Sequence, residues 1–221
     1  MGAIIVDASD GSNKTIVQTF WISQANNDPL SGSELTTNLA CRVVFSILSN
    51  LLMWVPLTLL RRNGEFAAVI FIVVTMTYNV LTLINAIIWR TDDVSAWWMG
   101  WGYCDAFIYI NYPILTTYTA CVFAIMRNLA DQTSLMRANS LSLRERHRRN
   151  IIQALTIFPV PLIQLALMYP ISTHRYYLLT LAGCTWWPSR TWPQLVFFLI
   201  PQPAFALGAA WYAGTSLPLY V

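Results

Sequence analysis

Charge is scarce in this 221-residue chain. Asp, Glu, Lys and Arg together make up 10% of it, where a soluble domain carries about 25%. Lys, Arg, Asp and Glu are missing altogether from the interiors of five long apolar stretches. Ion pumps and many coupled transporters need such groups inside the membrane, so their absence argues against that class, though not against a passive carrier. Histidine is limited to His147 and His174, and the four cysteines show no CxxC spacing; no metal site and no cofactor are expected. The chain has no GxSxG, HExxH or Walker loop, so it is not expected to be an enzyme. Met1 to Asp10 lacks the basic segment and apolar run of a secretory signal. Val6 stands where a myristoylation signal after Met-Gly requires Ser or Thr. The net charge of +3 is small and gives no reason to expect nucleic acid.

What the chain does have is apolar length. Hydrophobic residues make up 56% and mean hydropathy is +0.50. The runs lie at about 43–60, 66–89, 105–126, 151–171 and 193–217. The eighteen residues from Val43 to Leu60 rise roughly 27 Å as a helix, just enough for a hydrocarbon core of about 30 Å. Core helices of soluble proteins keep a polar face, and Phe66 to Val74 and Val196 to Ile200 have none. The expected fold is all-α, a polytopic transmembrane helix bundle over residues 43–221, preceded by a tail at 1–42.

Basic residues set the orientation. Arg61 and Arg62 lie in one short connection, and Arg127, Arg137, Arg144, Arg146, Arg148 and Arg149 in another. Only Lys14, Arg42, Arg90, Arg175 and Arg190 fall on the other side. The segments 61–65 and 127–150 are therefore expected in the cytoplasm and the N-terminal tail outside. Asn13-Lys14-Thr15 is a glycosylation sequon on that outer side, a common pattern by chance. The end, Gly214 to Val221, shows no basic stop, and the chain reads as breaking off in or just after its fifth span.

Cys104 opens the third span and Cys184 lies in the segment 172–192, both on the oxidising side. A Cys104–Cys184 disulfide is the favoured state, with Cys41 as a competitor and free buried thiols as the remaining alternative. Cys121 is about 25 Å deeper along the third helix. The outer segments are dense in aromatics, including Trp89, Trp97, Trp98, Trp101, Tyr103, Tyr176, Tyr177, Trp186, Trp187 and Trp192. An interfacial belt accounts for half of them or more, and an apolar pocket with a wet edge is the sharper reading. Asp92, Asp93 and Asp105 add negative charge there. Inside the spans the polar residues are uncharged: Asn50, Asn79, Asn85, Asn111, Gln153, Gln164 and Gln202. Interhelical hydrogen bonding is the plainer role for each, and Asn50 and Asn79 are placed to meet. Pro159-Val160-Pro161 and Pro201-Gln202-Pro203 interrupt spans four and five, as static bends or as helix ends that move. The run Arg144 to Arg149 is mainly a topogenic and anionic-lipid signal, and otherwise a docking surface for an acidic partner.

An ordered set of short motifs resembles a known family. Asn85-Ala-Ile-Ile-Trp89, Asp92-Asp93 and Gly102-Tyr103-Cys104-Asp105 are similar to the second span, outer loop and third span of fungal lipopeptide (a-factor-type) mating pheromone receptors, class D G-protein-coupled receptors. Arg127-Asn128-Leu129, the run Arg144 to Arg149, His174-Arg175-Tyr176, Gly183-Cys184 and Thr191-Trp192-Pro193 continue the resemblance from about Val43 to the end. It implies seven helices, so that helices six and seven would be absent here. It also implies a lipidated peptide pheromone as ligand, a heterotrimeric G protein inside, contact with membrane lipid, and residence in the plasma membrane with the N-terminus extracellular. Homo-oligomerisation is an open expectation. On this reading Trp89, Tyr109, Tyr112, Trp186 and Trp187 border the ligand, and Arg127, Arg144, Arg146, Arg148 and Arg149 face the G protein. The alternative is a fragment of a facilitative transporter or a membrane scaffold.

Overall fold

The computed structural model describes residues 2–6, 17–21, 32–90, 97–134, 143–179, 181–189 and 191–216. Helices dominate: α1 (Gly32–Asn63), α2 (Phe66–Ile88), α3 (Tyr103–Ser134), α4 (Leu143–Ile157), α5 (Pro159–Ile171), the short α6 (Trp192–Gln194), a π-turn at Leu195–Leu199, and α7 (Pro201–Ser216). Five helical stretches are long and apolar enough to cross a membrane: Thr36–Asn63, Phe66–Ile88, Tyr103–Gln132, Arg144–Ile171 and Trp192–Thr215. None of the most apolar window of α1 is buried within the chain, and Trp54, Val55 and Leu51 stand open. Such surface is stable against hydrocarbon, not against water.

The helices overrun their apolar stretches. α1 starts well before Val43, because polar residues also extend a helix when they bond locally, as Arg42 Nε does on donating to Asn38 Oδ1 at 2.8 Å. α3 runs on through Arg127, and Arg144 to Arg149 form the opening turns of α4 instead of a loop. Hydropathy marks the hydrocarbon-depth part of a helix and misses turns that continue into the interface.

By its contacts the chain divides into two compact units: Met1–Leu52, Met76–Asn111 and Met168–Ser189 in the first, and Met53–Thr75, Tyr112–Leu167 and Arg190–Val221 in the second. The first holds a four-stranded antiparallel sheet of β1 (Gly2–Val6), β2 (Val17–Trp21), β3 (Ser172–Leu179) and β4 (Gly183–Pro188), in the order β2-β1-β3-β4. Ala3 pairs with Leu179 and Val6 with Tyr176, so the N-terminal tail joins the hairpin that comes after α5. Alternation along β3 buries Tyr176 and Leu178 on one face. Leu178 is the register partner of Cys184, which with Trp186 is buried on β4. In this unit Asn79 Nδ2 also reaches Asn50 Oδ1 and Ser49 Oγ at 3.3 Å each, the expected tie between α1 and α2.

The second unit packs around Ala67, Cys121, Ala124 and Ile157, with Ile70, Phe71 and Ile125 against them. A tight turn joins α1 to α2. Gly64 N–H donates to the Arg61 carbonyl and Glu65 N–H to the Leu60 carbonyl, a Schellman closure with Gly64 at φ +68°.

Candidate functional site

Among the described residues two polar clusters stand out, one in each unit. In the first unit the organising residue is Asn85, fully buried near the end of α2. Its Nδ2 donates to the Ala182 carbonyl at 3.0 Å, and its Oδ1 accepts from the Tyr103 hydroxyl at 2.9 Å. One amide thus uses both of its ends to join α2, α3 and the β3–β4 turn. The turn returns a bond, as Leu181 N–H donates to the Trp89 carbonyl at 2.9 Å and satisfies an orphan acceptor past the end of α2. Close approach requires a bare glycine at 183. It sits at φ +70°, and a Cβ there would lie 2.7 Å from Asn85 Cγ.

The Cys104–Cys184 disulfide locks the same junction, with 5.3 Å between its Cα atoms. Beside it Trp89, fully buried, donates Nε1–H to the Trp98 carbonyl at 3.1 Å. Its ring stacks on Trp98 at 6.3 Å and meets Tyr103 at 6.1 Å. Gly100, at φ +71°, passes so close that a Cβ would meet Cys104 Sγ and come within 3.2 Å of Trp89. Trp186 is 3% exposed and donates Nε1–H to Ser172 Oγ at 2.7 Å. Tyr176 donates its hydroxyl to the Met99 carbonyl at 2.8 Å, holding the 97–102 segment to β3. Burial raises the pKa of Tyr177 above the usual phenol value, a hydrogen bond with Thr185 opposing the rise.

The five aromatics expected at the ligand therefore separate. Trp89 and Trp186 are buried structural members with their N–H groups used. Tyr109 is half-buried in the first unit, one helical turn beyond Asp105, and Tyr112 is half-buried in the second. The side chain of Trp187 and the residues Asn13, Asp92 and Asp93 lie outside those described. Trp98 and Trp101 present open ring surface, at 49% and 45% exposure. Sequence alone groups them with the aromatic belt, because nothing in a run of tryptophans tells which ring is on top.

In the second unit the centre is Glu65, at the N-terminus of α2. Its carboxylate pairs with Arg149 at 3.0 Å and accepts from Asn128 Nδ2 at 3.5 Å. A carboxylate there also faces the positive end of the α2 dipole. Gln153, 6% exposed on α4, accepts from Ala67 N–H at 3.3 Å and so caps the same helix. The Arg146 guanidinium lies where a Cβ on Gly64 would stand. Of the five arginines expected at a G protein, Arg149 is held in this ion pair and Arg146 lies against the turn, while Arg144 and Arg148 are exposed and Arg127 is half-buried on α3. Sequence reading does not reveal Glu65 and Gln153 as site residues, since their partners are 84 and 86 positions away. Among the described residues no group of His, Cys, Asp and Glu is arranged to hold a metal ion.

Residues 41–220, most of the chain, match the family model described as "Pheromone A receptor". The chain belongs to the pheromone A receptor family. Two curated relatives agree. One, 24% identical over 176 residues, is the pheromone M-factor receptor of Schizosaccharomyces pombe; the match covers 77% of this chain and 46% of that protein. The other, 26% identical over 176 residues, is the pheromone a factor receptor of Saccharomyces cerevisiae, with 79% and 36% covered. This family member thus spans less than half the length of either relative. No solved structure matches it. For a pheromone A receptor family member, the five helices long and apolar enough to cross a membrane fit a multi-pass membrane protein.

Proposed function

We propose that this chain is part of a receptor for a lipidated peptide mating pheromone, which passes ligand binding on to a cytoplasmic heterotrimeric G protein. The family match over residues 41–220 carries this reading. The structure supports it chemically. An aromatic cluster backed by Trp89 and topped by exposed Trp98 suits a ligand with a long hydrocarbon group. Tyr109 and Tyr112 are each ligand-contact candidates on α3, and Trp89 and Trp186 belong to the buried frame of the first unit.

The receptor belongs in the plasma membrane with its N-terminus outside. The disulfide favours an oxidising exterior for the hairpin, and exposed Arg61, Arg62, Arg144 and Arg148 favour the cytoplasm for the 61–65 turn and the start of α4. Arg127, with Arg144 and Arg148, is the candidate contact for the G protein. No observation favours a transporter.

The test is a pheromone-driven reporter in a receptor-null fungal strain, expressing the full reading frame that encodes this chain. Compatible lipidated pheromone should induce the reporter. Arg127→Ala should reduce induction while leaving ligand binding unchanged. No induction at normal surface abundance would reject the proposal, and equal loss of binding and induction would reject the role of Arg127.

A further inference from the structure

The last described span is built around a missing hydrogen-bond donor. Pro201 opens α7, and proline has no backbone N–H. In a continuous α-helix residue 201 would donate to the carbonyl of residue 197. The Phe197 carbonyl is thereby left without its helical partner inside an apolar span, where no water replaces it. A side chain from another helix fills the place: Gln164 on α5, 1% exposed, donates Nε2–H to the Phe197 carbonyl at 2.7 Å.

The backbone widens at the same point. Leu195–Leu199 is a π-turn, and Ile200 N–H reaches five residues back to the Leu195 carbonyl at 3.0 Å. A π-turn holds one residue more than an α-turn, so it rotates the rest of the span by about 100°. That rotation carries the face of α7 that packs on Phe123. Phe205 and Tyr212 place their rings 5.8 Å and 5.7 Å from it. Between them, a Cβ on Gly208 would lie 2.7 Å from the Phe123 ring. Positions 205, 208 and 212 form one helical stripe. Its direction depends on the phase set by the turn before it.

We propose that Gln164 is a positioning residue that replaces the N–H absent from Pro201, holds the last described span in its π-turn, and so fixes which stripe of α7 meets Phe123. The proposal does not rest on the receptor reading. It makes the contact of α7 with Phe123 on α3 a discrete latch, because the stripe is in phase only while the Phe197 carbonyl is held.

Gln164→Met isolates the donor. The side chains are close in size, and Gln164 Oε1 has no hydrogen-bond partner among the described residues, so little is lost besides Nε2. The full chain, purified in detergent micelles, would be followed by its thermal midpoint and by amide hydrogen exchange over residues 195–204. Gln164→Met should lower the midpoint by a few degrees and speed exchange several-fold. Pro201→Ala restores an N–H at position 201, and in that background Gln164→Met should lose more than half of both effects. Equal effects in the two backgrounds would mean that Gln164 acts by packing alone, and no effect in the parent would mean that the bond positions nothing; either overturns the proposal. If Gln164→Met yields no folded protein, recovery of folded yield by Pro201→Ala supports it, and failure to recover overturns it.

Discussion

Asn85 and Tyr103 bind each other from α2 and α3, the phenol donating to the amide oxygen at 2.9 Å while the amide nitrogen holds the Ala182 carbonyl. The two ends of this amide carry unequal loads. Asn85→Leu strands the half-buried Tyr103 hydroxyl, at about 1–3 kcal/mol for an unsatisfied buried group, and also loses the bond to the carbonyl of exposed Ala182. Tyr103→Phe removes one bond, at about 0.5–1.5 kcal/mol. Thermal unfolding in detergent should rank the first variant clearly below the second. Equal midpoints would show that the hairpin does not depend on Asn85.

The Cys104–Cys184 disulfide spans a sequence separation of 80. Chain-entropy reasoning sets an upper limit of about 4–5 kcal/mol for a loop of that size, lowered here because membrane insertion already restrains the intervening helices. Cys104→Ser, Cys184→Ser and the double variant should therefore lose stability to the same extent, and less than the limit. A double variant markedly less stable than either single one would mean that the two sulfurs act separately.

Glu65 and Arg149 form a half-buried ion pair, with side-chain exposures of 32% and 16%. Removing one partner leaves a charge whose water is partly stripped away, so Glu65→Gln or Arg149→Met alone should destabilise. The double variant should cost less than the sum of the two, by roughly 0.5–2 kcal/mol of coupling. Strict additivity in a double-mutant cycle would deny that the pair ties α4 to the α1–α2 turn.

Tyr177 lies on β3, outside the spans, with its phenol pKa raised by burial. The folded state thus holds the proton more tightly than the unfolded chain. The stabilisation is complete below the ordinary phenol value of about 10 and is lost as pH rises through the folded value. The thermal midpoint should fall above pH of about 10, and Tyr177→Phe should flatten part of that fall. An unchanged pH profile in the variant would contradict the assignment.

Much of this architecture is legible in the sequence, and the reasons are physical. Five spans are visible because hydrocarbon demands long uncharged runs, and the cysteine pair because the charge pattern puts two thiols on one side, expected to be the oxidising one. The Asn50–Asn79 tie follows from two amides at mid-helix with little else to bond. Helix ends are less visible: α1 and α3 continue into polar sequence where hydropathy no longer reports. The hairpin strands escape a search for membrane helices, although Tyr176 and Leu178 alternate as a half-buried strand requires. Burial order inside an aromatic cluster is invisible in sequence, so only the fold distinguishes Trp89 as frame from Trp98 as surface. Gln164 looks like any intramembrane amide until the proline-made gap at Phe197 is seen beside it.

If this chain is part of a receptor for a lipidated peptide pheromone, the hydrocarbon group of the ligand must contribute to binding. The most direct test is saturation binding of a labelled lipidated pheromone from the compatible mating type. The assay uses membranes of receptor-null cells expressing the full reading frame that encodes this chain. Saturable binding is predicted, at least about tenfold weaker for the same peptide without its lipid because the buried hydrocarbon is lost, and weaker again in Tyr109→Ala. Absence of saturable binding at normal surface abundance, or equal affinity with and without the lipid, would contradict the receptor assignment.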